Sequence, residues 1–155
     1  MASKEILVRS ATPDDLYAVG QLLHDFNREF DDPTPGPDAL AKRLGELLAA
    51  GDTAVLVAGD KPEGVAVLRF RLAIWSRGSE CYLAELYVVP ERRGNGVGRA
   101  LMEATIEEAR SRGADTIELG TEETDAVARR LYESLGFSNR EGGNGAVMYF
   151  YEREV

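Results

Sequence analysis

Leu86-Tyr87-Val88-Val89-Pro90-Glu91-Arg92-Arg93-Gly94-Asn95-Gly96-Val97-Gly98-Arg99 joins an apolar strand end, a proline stop, three arginines and three glycines spaced two apart. The strand spans Cys81 to Val89, and the glycines open a helix carrying Leu101, Met102, Thr105, Ile106 and Ala109. The first N–H groups of a helix have no partners within it and point along the axis, where the positive end of the helix dipole favours an anion. Glycines let that backbone turn tightly and meet phosphate oxygens without a Cβ in the way. A nucleoside triphosphatase loop would end in Gly-Lys-Ser or Gly-Lys-Thr, whereas Gly98 precedes Arg99-Ala100. A dinucleotide fingerprint needs Gly-x-Gly-x-x-Gly after the first strand of its domain, and the spacing and position here are both wrong.

Outward from this stretch the elements alternate. Before it, the run from Val65 to Trp75 places Ala66, Leu68, Phe70, Leu72 and Ile74 on one side and Arg69 and Arg71 on the other, predicting a hairpin with Cys81–Val89. Thr53–Ala58 is a shorter apolar strand. Two helices come earlier. One follows Thr12-Pro13-Asp14-Asp15 with Leu16, Val19, Leu22, Leu23, Phe26 and Phe30 at helical spacing, and the other runs from about Asp38 to a stop at Gly51. After the glycine helix come a strand at Thr116–Leu119, a helix from about Asp125 to Leu135 closed by Gly136, and a final strand over Ala146–Glu152. The strand-helix-strand at 82–119 implies a parallel pair.

The 155 residues suffice for one domain with a real core, and 44% apolar with 29% charged residues is an ordinary globular balance. No apolar run approaches the ~20 residues of a membrane span, and the N-terminus does not read as a signal peptide, so a cytoplasmic setting is expected. Cys81 is the single cysteine, which excludes an internal disulfide and a cysteine-based zinc cluster. Twenty-seven acidic against 18 basic residues give a net charge of −9, which disfavours nucleic acid and anionic membranes as partners.

The combined motifs resemble those of the Gcn5-related N-acetyltransferase (GNAT) superfamily. Its Arg/Gln-x-x-Gly-x-Gly/Ala signature is met by Arg93-Gly94-Asn95-Gly96-Val97-Gly98, and its Leu-Tyr-Val-x-Pro strand end by Leu86-Tyr87-Val88-Val89-Pro90. Leu131-Tyr132-Glu133-Ser134-Leu135-Gly136-Phe137 fits the Leu-Tyr-x-x-x-Gly-Phe hallmark. The resemblance implies a single domain over residues 1–155, of α/β (α+β) class. Its central sheet would be mixed, mostly antiparallel and twisted, with six to seven strands flanked by about four helices. It further implies acetyl-CoA as cosubstrate, no metal, and transfer of the acetyl group to a primary amine of a small molecule or peptide within a ternary complex. The alternative is a non-catalytic acyl-CoA-binding or sensing module. A homodimer is compatible with the family, whose members vary.

Residue by residue, the resemblance assigns the pyrophosphate to Arg93, Gly94, Asn95, Gly96, Val97, Gly98 and Arg99, and the pantetheine arm to Leu86, Tyr87 and Val88. Two amides in that arm match the hydrogen-bonding spacing of a strand. Tyr132 is implied as the proton donor to the departing thiolate. Glu85, on the pantetheine strand and expected to share a face with Leu83 and Tyr87, is implied as the base; an alkylamine near pKa 10.4 must lose a proton before it attacks. Glu118, Glu122 and Glu123 are weaker candidates for the same task. Asp125 stands where the family commonly has a cofactor-contacting asparagine, and it equally suits a helix N-cap. Asn27, Glu29, Asp31 and Asp32 form an acidic set suited to a cationic acceptor, or merely to ending a helix. His24 reads as a packing or surface residue.

Overall fold

The computed structural model describes residues 5–155 and resolves into two compact units, residues up to Glu118 and residues from Leu119 onward. The first unit contains β1 (Val8–Ser10), α1 (Leu16–Glu29), α2 (Pro37–Ala50), β2 (Thr53–Ala58), β3 (Gly64–Leu72), β4 (Ser79–Val88), α3 (Val97–Ser111) and β5 (Ala114–Glu118). The strands lie in the order β1-β2-β3-β4-β5. All neighbours are antiparallel except β4 and β5, the parallel pair that the strand-helix-strand pattern requires. The α/β class, the four helices and the mixed, mostly antiparallel sheet therefore agree with expectation.

Helices cover both faces. Val55, Val57, Val65, Val67 and Tyr87 pack with Val19, Leu22, Leu23 and Leu44 of α1 and α2. The alternate residues Ala54, Ala66, Leu68, Cys81 and Leu83 are also buried, and α3 packs along β2 to β5. Removing each Leu or Val from water contributes roughly 1.5–3 kcal/mol, so a sheet buried on both faces is the main stabilising element. Helix α1 crosses α2 closely at Gly20, where an added Cβ would lie 2.5 Å from the Pro37 carbonyl oxygen. Helix α2 stops at Gly51, whose φ of 86° is the left-handed conformation that ends helices.

Four details differ from expectation. The sheet has five strands, not six or seven. Residues 146–152 form no strand: the second unit holds α4 (Ala126–Ser134), a 3-10 turn and an isolated bridge between Arg140 and Val147. The run Met148-Tyr149-Phe150-Tyr151 lacks polar alternation, so it selects no single face for burial, and all four residues are exposed. β3 ends at Leu72, leaving Ile74 and Trp75 outside it and exposed. The short β1 was not legible; it adds to β2 with Val8 opposite Ala58. Among the described residues no helix is long and apolar enough to cross a membrane.

Candidate active site

β4 and β5 pair only from Ser79 to Tyr82, where Tyr82 lies opposite Glu118. Leu83 to Val88 then continue along β3 alone, so this part of β4 presents an edge that β5 does not cover. Six residues of strand amount to roughly 20 Å of open edge. It leads through Pro90–Arg92 into the glycine segment, so the free strand edge and the helix N-terminus are consecutive in the chain.

Gly94 and Gly96 have φ of 76° and 85°, a region that costs side-chain-bearing residues energy. Gly96 is the N-cap of α3, which begins at Val97. Space does not demand glycine here: a Cβ on Gly94 would meet nothing within 4 Å, and one on Gly96 only the Ile6 side chain at 3.7 Å. Backbone twist is the requirement, and it turns the first N–H groups of α3 outward past exposed Gly94-Asn95-Gly96. Val97 is buried and anchors the helix start. A pyrophosphate fits this cradle: it is open to solvent, free of Cβ atoms at two turns, and set at the positive end of a 15-residue helix.

Arg93 does not project freely. Its Nε donates to the Val88 carbonyl at 3.0 Å and its Nη2 to Glu29 Oε1 at 2.8 Å, while the guanidinium lies 5.4 Å from the centre of the Tyr87 ring. The Tyr87 hydroxyl donates to the same Glu29 oxygen at 3.2 Å. The Arg93 hydrogen bond holds the Glu29 carboxyl below its ordinary pKa. One end of the expected cradle is thereby tied to the expected acceptor set across 64 residues of sequence.

Glu85 faces the α1/α2 layer, opposite Val67, but it does not share that face with Leu83. The pairing runs Val67 to Glu85 and then Leu68 to Leu83, which leaves Ala84 as an extra residue in a bulge. A bulge places two residues against one and reverses the alternation, so Leu83 turns to the other face. Glu85 is half-buried with no ion pair among the described residues, and burial pushes its pKa up. The bulge also bends β4 beside the edge that β5 has left.

The remaining acidic set is divided. Asn27 is used in the loop, its Nδ2 donating to the Pro33 carbonyl at 2.7 Å. Asp31, at φ 56°, and Asp32 are exposed. His24 Nδ1 is 3.1 Å from the Thr34 hydroxyl, a loop contact. Burial raises the Cys81 thiol to about 11, which suits a packing residue and not a nucleophile. Glu118 lies 3.8 Å from Arg71. Glu122 and Glu123 act through their carbonyls, which accept from the Asp125 N–H and from Arg129.

In the second unit, Asp125 Oδ1 accepts from the Ala128 N–H at 3.0 Å and caps α4. The helix ends with Gly136 at φ 91° and the Phe137 N–H returning to the Tyr132 carbonyl at 3.1 Å. This closure explains the spacing of Leu-Tyr-x-x-x-Gly-Phe: only a left-handed residue lets Phe137 turn back, and its ring then meets Tyr132 edge-on at 6.1 Å. Burial, and then the Asp125 charge, push the Tyr132 phenol up, so it stays protonated at neutral pH.

Comparison with known proteins agrees with this geometry. The model of the acetyltransferase (GNAT) family matches residues 16–137. A crystal structure of a protein from Arthrobacter sp. FB24, classed as an acetyltransferase, is 48% identical, with a TM-score of 0.89 over 100% of this chain and 99% of that one. Mycothiol acetyltransferase of Thermobispora bispora is 47% identical over 66 residues, 41% of this chain and 22% of that protein. Thialysine N-epsilon-acetyltransferase of Bos taurus is 29% identical over 105 residues, 65% of this chain and 62% of that protein. The chain thus spans about a fifth and about three fifths of these two relatives. The family match runs through the β4 edge, the α3 cradle and the Tyr132 helix, and the chain belongs to the acetyltransferase (GNAT) family.

Proposed function

We propose that this protein is an N-acetyltransferase, acting as one domain over residues 1–155, that moves the acetyl group of acetyl-CoA directly to a primary amine. The observation that carries the reading is the free edge of β4 from Leu83 to Val88 running into the α3 cradle. On this reading the pantetheine amides add to the edge at Leu86, Tyr87 and Val88, as a strand would. The pyrophosphate meets the Arg93–Arg99 segment, and the acyl group arrives near the bulge at Ala84. The family match across residues 16–137, which runs from the first unit into the second, supports a single functional domain.

The chemistry asks little more of the chain. Glu85, held partly out of water beside the bulge, accepts the amine proton directly or through water. Attack places negative charge on the thioester oxygen, and backbone N–H groups at the bulge are suited to stabilise it. Tyr132, protonated at neutral pH, supplies a proton to the departing thiolate. Asp125 caps the helix that carries Tyr132. Asp31 and Asp32, with Asn27 and Glu29 beside them, supply the charge that draws a cationic group of the acceptor. The setting we assign is cytoplasmic.

Thiol release from acetyl-CoA, measured with polyamines, amino acids, aminoglycosides and basic peptides in wild type and Tyr132→Phe, tests the proposal. We expect release that depends on one class of amine. In Tyr132→Phe it should fall by about 10²- to 10⁴-fold in turnover, with acetyl-CoA affinity retained. Acetyl-CoA binding with no amine-dependent release would favour the sensing module instead.

A further inference from the structure

Arg69 is the odd residue of the sheet. It follows Val65 and Val67 on the α1/α2-facing side of β3, where the register with β2 is unbroken and sets it opposite Thr53. Its cross-strand partner on β4 is Tyr82. The residue is half-buried, its Nε is fully removed from solvent, and no hydrogen bond or ion pair among the described residues reaches its guanidinium. Two residues further along the same face, Arg71 stands opposite Glu80 and is paired with it at 2.5 Å. A protein with 27 acidic residues has thus matched one arginine of this face with an acid and left its half-buried neighbour without one. Such an arrangement is costly unless an anion completes it, since a buried guanidinium donor without a partner has lost its water in exchange for nothing.

The position identifies whose anion this is. Tyr82 is the last residue of β4 paired with β5, so Arg69 is level with the point where the open edge begins. The α3 cradle lies at the other end of that edge, roughly 20 Å away along the strand. Phosphates of the cosubstrate belong to the cradle end, whereas Arg69 sits at the acyl end. Glu85 is on the same face of the sheet, opposite Val67, two residues from Arg69 along β3, or about 7 Å. An acceptor whose amine is presented to Glu85 therefore has Arg69 beside its remaining atoms. A single guanidinium suits a carboxylate, which it can hold with two parallel hydrogen bonds; a phosphate dianion would call for more positive charge than this face has.

We propose that Arg69 sets acceptor specificity by binding a carboxylate, and that the acceptor is an amino acid or a close relative, with the acylated amine and a carboxylate in one small molecule. The inference rests on the acetyl-transfer reading and sharpens it, because Glu85 meets the amine of such a molecule while Arg69, two residues along the same face, meets its carboxylate.

The test compares acceptors that differ only in that group: α- and ω-amino acids, their carboxamides, and the corresponding amines without the carboxylate. Thiol release at saturating acetyl-CoA should favour acid over amide by about 10- to 100-fold in kcat/KM, the range of a charge-assisted hydrogen bond. In Arg69→Gln that ratio should collapse toward one, mainly through the KM of the acid, and Arg69→Lys should restore part of it. The thermal midpoint of Arg69→Gln should not fall, because no partner is left unpaired. Equal use of acid and amide by the wild type, or a preference that survives in Arg69→Gln, overturns the proposal. If no amine is acetylated, the transferase reading fails separately. Calorimetric titration of the same acids and amides then decides for Arg69: tighter acid binding lost in Arg69→Gln supports it, and equal binding of acid and amide overturns it.

Discussion

Glu85 shows how one residue's environment sets its chemistry. A carboxyl on an exposed strand would be ionised and weakly basic; half-buried beside the Ala84 bulge, it holds its proton to higher pH. A base must be ionised to act, so kcat should climb with pH through a value above the ordinary carboxylate range. The stability sign is opposite. Because folding raises this pKa, the ionised form costs the folded state stability above the unfolded value. Glu85→Gln should therefore leave the neutral-pH thermal midpoint unchanged or higher while turnover drops by about 10²- to 10⁴-fold. A pH–rate profile of both proteins, with a melting curve beside it, checks this; undiminished turnover would remove Glu85 from the base role. The residue's type and strand were readable from the chain, but its face was not. Period-two alternation put it with Leu83, and a single extra residue in β4 reversed that.

Among elements, the entry to α1 makes a compact case. Thr12 and Asp15 form a capping box, and Arg9 of β1 grips both carboxylate oxygens of Asp15, at 2.6 and 2.9 Å. Asp15 is buried to 7% exposure, and this partner holds its pKa well below the usual carboxylate range. The depressed value means the stabilisation is complete above the unfolded pKa and is lost as pH falls toward the folded one. Asp15→Asn should cost about 2–3 kcal/mol at neutral pH, with the gap to wild type closing in acid, as denaturant unfolding at several pH values would show. At the α1–α2 crossing, Gly20→Ala should cost roughly 1–3 kcal/mol, since the obstructing atom is backbone and cannot swing away; its midpoint in the same denaturant should fall. The helices were legible because their caps and stops are local, Gly51 and Gly136 among them. The run 146–152 misled because strand propensity supplies no partner strand.

For the whole molecule, the charge of −9 acts on both ligands at once. On the proposed reading it would draw a cationic amine and repel the anionic cosubstrate, with the α3 cradle and its arginines offsetting that repulsion. Added salt, shortening the screening length from about 10 Å at 0.1 M to about 3 Å at 1 M, should raise KM for a cationic acceptor more than for acetyl-CoA. Steady-state kinetics across that range provides the check; equal shifts would show that net charge does not sort the two.

The chain by itself determined the family, the order of its elements from the first helix to the Tyr132 helix, and the glycine turn into α3, because these rest on residues within a few positions of one another: glycines at left-handed turns, a proline stop, a helix closed by Gly136-Phe137. Tertiary structure alone decided who faces whom. The ion pair of Glu29 with Arg93 spans 64 residues, the bulge at Ala84 appears only in the register of β3 against β4, and Arg69, without a partner among the described residues, has Tyr82 and not an acid opposite. Those facts depend on strand register and helix docking. Both are set by burial summed over the fold, which no short window of sequence contains.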